Sequence, residues 1–192
     1  MSGLQELKIR LQPGKFYRRN DLAKWSESVD RHVNLLLRES ALQKVSRGLY
    51  YCPKKSAFGA VPPEETALIR EFLLDNRFLI TSLNLYNSLS IGTTLLYNKK
   101  IVYNHKRHGE FKVCNRTFNF RRRPFPKTIT PVFLIVDLLN NLNSLEEDRD
   151  EVLKNVSKKV LSMNAVSVRS YANRYGNGRT KKLISQLLNR KS

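Results

Sequence analysis

Apolar side chains recur three and four positions apart from residue 29 onward. On a helix turning by about 100° per residue, Val29, Val33, Leu36 and Leu37 gather on one side, and Glu27, Arg31, Asn34 and Arg38 form a stripe on the other. The spacing predicts a helix over residues 27–39. Ser26 or Ser28 can supply its N-cap oxygen, and backbone N–H groups at the helix start remain for an anion. Upstream, Leu4, Leu7 and Leu11 have the spacing of a short first helix, Pro13-Gly14 breaks it, and RRNDLAKW reads as a second. Downstream, ALQKVS and GLYYCP alternate as two strands joined at Ser46-Arg47-Gly48.

A second helical pattern opens after Pro62-Pro63, where PEETALIREFLLDN places acidic residues in a first turn and offers Ala67, Ile69, Phe72 and Leu73 to a core. Between Phe78 and Phe125, short alternating runs (KIVYNH, EFKVCN, RTFNFR) predict strands and hairpins, closed by RRRPFPKTITP. Four helices follow, over VFLIVDLLNNL, EEDRDEVLKNVSKKVLS, AVSVRSYANRYG and RTKKLISQLLNR. The expected class is α+β. An N-terminal domain over 1–55 is joined by a linker, 56–63, to a C-terminal domain over 64–192, which holds a helix, a basic β region and a helical set.

Composition changes this picture mainly through charge. The 192 residues carry 35 Lys and Arg against 16 Asp and Glu, a formal net charge of +19. An excess of that size points to a polyanionic partner, DNA or RNA. A membrane surface fits less well, because no run of 18 apolar residues occurs and the N-terminus lacks the apolar core of a signal peptide. Cys52 and Cys114 are far apart and form no CxxC pair, which suits a reducing, cytoplasmic compartment.

Three helices followed by a basic-tipped hairpin is the order of a winged helix-turn-helix, whose third helix enters the major groove while the wing touches flanking phosphates. Arg31 and Arg38 can donate bidentate to guanine, Asn34 can pair with adenine, and Lys44, Ser46 and Arg47 need only reach the backbone. The alternative is a charged helix face that is merely solvated, or a winged helix used for protein contact. Glu27 and Asp30, on or beside the stripe, speak against DNA, since carboxylates repel phosphates.

The middle of the chain supplies a second candidate surface: Lys99, Lys100, Lys106, Arg107, Lys112, Arg116, Arg121, Arg122 and Arg123, with only Glu110 as counter-charge between residues 99 and 127. Tyr97, Tyr103, Phe111, Phe118 and Phe120 are interleaved with them. Such aromatics either stack on unpaired bases, which would make RNA a partner, or form the buried face of a sheet. Signals for catalysis are weak. His105 and His108 lack a third ligand for a metal, GNGRTKK lacks the order of a phosphate loop, and the carboxylates of LEEDRDEV suit a helix start. No cofactor, no metal and no enzymatic activity are expected.

Taken together, PGKFYRRNDL, VDRHVNLLLRESALQKVSRGLYYCP, SLNLYNSLSIGTTLLYNKKIVYNHKRHGEFKVCNRTFNFRRRPFPK and ITPVFLIVDLLNNL resemble AbiEi-type antitoxins of bacterial type IV toxin-antitoxin systems, over about residues 5–188. SRGLYYCP and GTTLLYNKKIVYNHKRHGEF are the specific segments. The resemblance implies an N-terminal winged helix that represses its own operon at inverted repeats; the charge of the chain is compatible with a monomer or a DNA-induced dimer. It also implies a C-terminal domain that counters a nucleotidyltransferase-type toxin, directly or functionally. Carried over, the recognition helix falls on Ser28 to Ser40 and the wing tip on Ser46, Arg47 and Gly48. Where such proteins often place a Thr or Ser helix cap, this chain has Arg18.

Overall fold

The computed structural model describes residues 3–91, 93 and 96–189. Gly92, Thr94 and Leu95 of the GTTLLYNKK segment, and Arg190 of the expected last helix, lie outside the described residues. The protein is mixed α+β, with helices at the N-terminus, sheets in the middle and helices at the C-terminus. It forms two compact units. One comprises the chain up to Asn76 together with Glu110–Phe118; the other comprises Arg77–Gly109 and the chain from Asn119 onward.

The first unit opens with α1 (Gly3–Arg10), β1 (Phe16–Arg18), α2 (Arg19–Ala23), α3 (Val29–Arg38), β2 (Gln43–Ser46) and β3 (Leu49–Tyr51). The strands form an antiparallel sheet in the order β1-β3-β2, with Phe16 opposite Tyr51 and Arg18 opposite Leu49. Strand β1 has no periodic signature in KFYRRN; it exists because β3 offers an edge on which its backbone groups find partners. Val29, Val33 and Leu36 point inward from α3 and meet Leu7 of α1, Tyr17 of β1 and Leu22 of α2. Leu7, Leu22 and Leu36 are fully buried, each burial contributing about 1.5–3 kcal/mol before the opposing entropy. Leu37 is only half-buried at the margin of this core.

Residues 56–63, expected as a linker, hold part of a second hairpin, β4 (Lys54–Ser56) with β5 (Gly59–Val61). Helix α4 (Glu65–Leu73) follows, its first turn capped by the Glu64 carboxylate, which accepts from the N–H groups of Thr66 and Ala67 at 2.9 Å each. Leu68, Ile69, Phe72 and Leu73 are its buried residues, Leu68 standing in the role expected of Ala67. Glu110–Phe118 completes the unit: the Cys114 N–H donates to the Val45 carbonyl at 3.0 Å, and the Phe111 and Phe72 rings meet edge-on at 5.7 Å.

The second unit contains β6 (Phe78–Ser82), a 3₁₀ helix (Leu83–Leu89) that the sequence did not announce, and β7 (Lys100–Asn104), paired antiparallel to β6 from Phe78 opposite Asn104 to Ser82 opposite Lys100. The end of β9 (Arg116–Arg122) belongs to this unit, whereas the start of β9 and nearly all of β8 (Gly109–Val113) belong to the first; the strand order is β6-β7-β9-β8. Cys114 and Asn115, both at positive φ, make the tight turn between the last two strands. The helices are α5 (Pro131–Asn141), α6 (Arg149–Ser162), α7 (Ala165–Tyr175) and α8 (Gly178–Asn189). Helix α5 is apolar on nearly every side and is accordingly the central helix, buried continuously from Phe133 to Leu139. The side chains of Asp148 and Asn164 cap α6 and α7 by accepting backbone N–H bonds.

Candidate nucleic-acid interface

Helix α3 turns its apolar face into the core of the first unit, so the opposite face must meet solvent. Arg31, Asn34 and Arg38 are all exposed there. Among the described residues their side chains have no hydrogen-bond or ion-pair partner, and the same holds for Lys44 and Arg47 on the β2–β3 hairpin. Three groups able to read base edges therefore stand free on one face, and two cations stand free on the neighbouring ribbon.

The other members of the expected set are placed differently. Ser28 occupies the N-cap position of α3 but its hydroxyl makes no capping bond. Ser26 is buried, and its Oγ lies 2.7 Å from Nδ1 of His32, so it braces the turn before α3 instead of facing outward. Ser46 is half-buried at the irregularity of the β2–β3 register.

The objection raised by Asp30 is answered by a residue that the sequence reading passed over. Arg19, at the start of α2, grips Asp30 in two bonds, Nε to Oδ1 at 2.8 Å and Nη2 to Oδ2 at 2.5 Å. This charge-assisted pair holds the Asp30 carboxyl below the ordinary carboxylate range and raises the Arg19 guanidinium in turn. The Arg19 N–H also donates to the Gly48 carbonyl at 3.0 Å, so one residue ties α2, the first turn of α3 and the β2–β3 turn together. Three further carboxylates of this region are neutralised: Glu6 by Arg10, Asp21 by Lys24 and Glu39 by Lys8. Arg18 stands at the N-cap of α2 without capping it; its guanidinium donates instead to the Glu71 carbonyl.

The second basic group is divided by the fold. Lys112 and Arg116 belong to the first unit, where Arg116 lies 3.9 Å from Glu65. Lys99, Lys100, Lys106, Arg107 and Arg122 are exposed in the second. Arg121 and Arg123 turn partly inward: Arg121 donates to Asn141 Oδ1, and Nη1 of Arg123 is buried. The interleaved aromatics are mostly core. Tyr103, Phe118 and Phe120 are buried, Phe111 packs on Phe72, and Tyr97 is half-buried, its hydroxyl donating to Glu147 Oε2 at 2.6 Å and accepting from the Glu146 N–H at 2.8 Å. Tyr103, Phe118 and Phe120 are therefore closed to stacking by bases. His105 lies flat on Phe125 with ring centroids 5.0 Å apart. Gly176 and Asn177 of the GNGRTKK segment connect α7 to α8, whose first turns hold the rest of it, and the connection is fixed by Asn140, which donates to the Tyr175 carbonyl and accepts from the Asn177 N–H.

One polar cluster lay hidden in the sequence, although Asp137 within VFLIVDLLNNL was a readable signal of it. The hydroxyls of Tyr86 and Tyr103 donate to Asp137 at 2.8 and 2.5 Å, and Asn141 Nδ2 donates toward both hydroxyls, at 2.9 and 3.2 Å. Burial raises the Asp137 carboxyl above its ordinary value, against the pull of the two hydroxyls and of Arg121 and Arg123. Burial and the adjacent carboxylate push both tyrosines well up. A carboxylate sealed among these groups at the centre of the unit organises the core.

No family model and no curated protein matches the chain. Among solved structures, the RV2827C protein from Mycobacterium tuberculosis is similar, with a TM-score of 0.56 at 12% sequence identity, covering 97% of this chain and 74% of that one. At that identity the likeness concerns the fold alone. Among the described residues, no helix is long and apolar enough to cross a membrane.

Proposed function

We propose that this chain is a DNA-binding antitoxin and transcriptional autorepressor, with α3 as the recognition helix of a winged helix and the β2–β3 hairpin as its wing. The observation that carries the DNA reading is the stripe Arg31, Asn34 and Arg38, exposed and unengaged on α3 while the neighbouring Asp30 is neutralised by Arg19. Arg31 and Arg38 are assigned to guanine edges, Asn34 to adenine, and Lys44 and Arg47 to phosphates. The antitoxin role, and a nucleotidyltransferase-type toxin as the protein it counters, rest on the sequence resemblance to AbiEi-type antitoxins. The cytoplasm is the compartment this role requires. Recognition of RNA by base stacking is the weaker reading, because Tyr103, Phe118 and Phe120 are core residues.

The test is binding to the DNA upstream of its own gene against scrambled DNA over a salt series. A preference of about 10³ or more, on a steeply salt-dependent background, is the expected result. Salt-sensitive binding with no preference would reject α3 as a reading helix. Co-expression with the adjacent gene checks the antitoxin role, since growth arrest that this chain leaves unrelieved would reject it.

A further inference from the structure

Phe58 is the most exposed large apolar side chain among the described residues, at 102% of its reference accessibility, and it sits at the tip of the β4–β5 ribbon. Every residue of both strands is exposed as well, so this ribbon covers no core. The tip is nevertheless well defined. Ser56 Oγ accepts from the Phe58 N–H at 3.2 Å and donates to the Gly59 carbonyl at 3.0 Å, while Gly59 takes a φ of 107° that side-chain-bearing residues rarely adopt. An aromatic ring is thus presented to solvent on a braced turn.

The charge around the ribbon says what it meets. Between Glu39 and Glu64 there is no acidic residue, while Lys44, Arg47, Lys54 and Lys55 fall in that interval. The ribbon also leaves the unit at a telling place. A cavity of 730 Å³ is lined by both Lys54 and Lys55 and by Glu39 and Ser40, at the C-terminal end of α3. The β2–β3 turn is tied through Arg19 to Asp30, in the first turn of α3. The two ribbons therefore flank opposite ends of a helix about 15 Å long.

We propose that the β4–β5 ribbon enters the minor groove beside the major groove occupied by α3, and that Phe58 inserts between two base pairs and kinks the duplex. This rests on the DNA-binding reading above. Apolar wedges of this kind unstack one base step and bend DNA by roughly 20–90°, the unstacking being offset by the additional protein surface the bent duplex meets. Lys54 and Lys55 hold the phosphates on either side of the wedge, and a flexible pyrimidine–purine step is the sequence it favours.

The experiment compares the full chain with F58A, F58W and R31A on DNA from upstream of its gene. It reads bend angle by end-to-end energy transfer and local unstacking from 2-aminopurine placed step by step along the flanks. The full chain and F58W should bend the duplex and brighten 2-aminopurine at one flanking step. F58A should retain the preference for upstream over scrambled DNA, lose the brightening and most of the bend, and bind about tenfold more weakly. Phe58 touches no core, so F58A should melt like the parent chain. If F58A bends and unstacks the DNA as the parent does, the wedge is wrong and the recognition helix stands. Should the parent chain show no preference for upstream DNA, both ideas fail. A parent dimer that F58A converts to a monomer in the absence of DNA would assign the ring to a self-contact and overturn the proposal.

Discussion

Arg19 holds Asp30 through two parallel hydrogen bonds, at 2.8 and 2.5 Å, across eleven residues of chain. The pair joins the start of α2 to the first turn of α3 and removes a negative charge from the face assigned to DNA. Both partners are exposed, so its worth to stability is small. Its role is positional and electrostatic.

Replacing Arg19 with alanine should therefore weaken binding to upstream DNA by about tenfold while scarcely changing the melting temperature. Adding D30N to R19A should recover part of the loss, since the unneutralised carboxylate is the cause. Binding isotherms on the four-member mutant cycle check this. The pH sign follows from the depressed Asp30 pKa: the pair is complete at neutral pH and is lost only as pH falls through a value below the ordinary carboxylate range.

Arg31 and Arg47 should fail in different ways. R31A should relax discrimination among DNA sequences by about 1–3 kcal/mol at one position, whereas R47A should weaken all DNA about equally and lower the salt slope by about one. Competition binding against a library of single-base variants, repeated at several salt concentrations, separates the two.

Tyr86→Phe removes one of the two hydroxyls that donate to Asp137 and leaves buried polar atoms short of a partner. It should cost about 1–3 kcal/mol, read by denaturant unfolding. Asp137→Asn tests the charge. Because burial raises the folded-state pKa of Asp137, its linkage contribution is fully present below the unfolded carboxyl pKa and is lost as pH rises through the folded value. Stability of D137N measured from mildly acidic to neutral pH should lack that decline.

Gly176 ends α7 where a Cβ would lie 2.5 Å from the Ala172 carbonyl oxygen. That oxygen is the acceptor for the Gly176 N–H at 2.8 Å, so neither group can withdraw without opening the end of the helix. G176A should destabilise the second unit by about 1–3 kcal/mol, seen as a lowered melting temperature with DNA affinity unchanged.

The parts of this protein legible in its sequence are those whose information is local. The apolar stripe of α3, the acidic starts of α4 and α6, the apolar run of α5 and the alternation of β7 and β9 each lie within about ten residues, the range over which helical and strand periods act. The exposed faces followed by exclusion: once Val29, Val33 and Leu36 are inside, Arg31, Asn34 and Arg38 are outside. Strand β1 was not legible, because three residues carry no period and its partner β3 is more than thirty positions away. Nor was the assignment of Glu110–Phe118 to the first unit, which depends on where the β8–β9 turn finds hydrogen-bond partners such as the Val45 carbonyl. Charge count alone also misled about residues 99–127: it could not tell Arg121, drawn in to Asn141, from Arg122, left in solvent. Sequence alone thus determined the class, the helices and the outward face of α3, since these follow from side-chain period and from apolar burial. Tertiary structure alone decided which charges cancel, which aromatics are sealed and where Phe58 is held, since those depend on groups far apart in the chain meeting at hydrogen-bond distance.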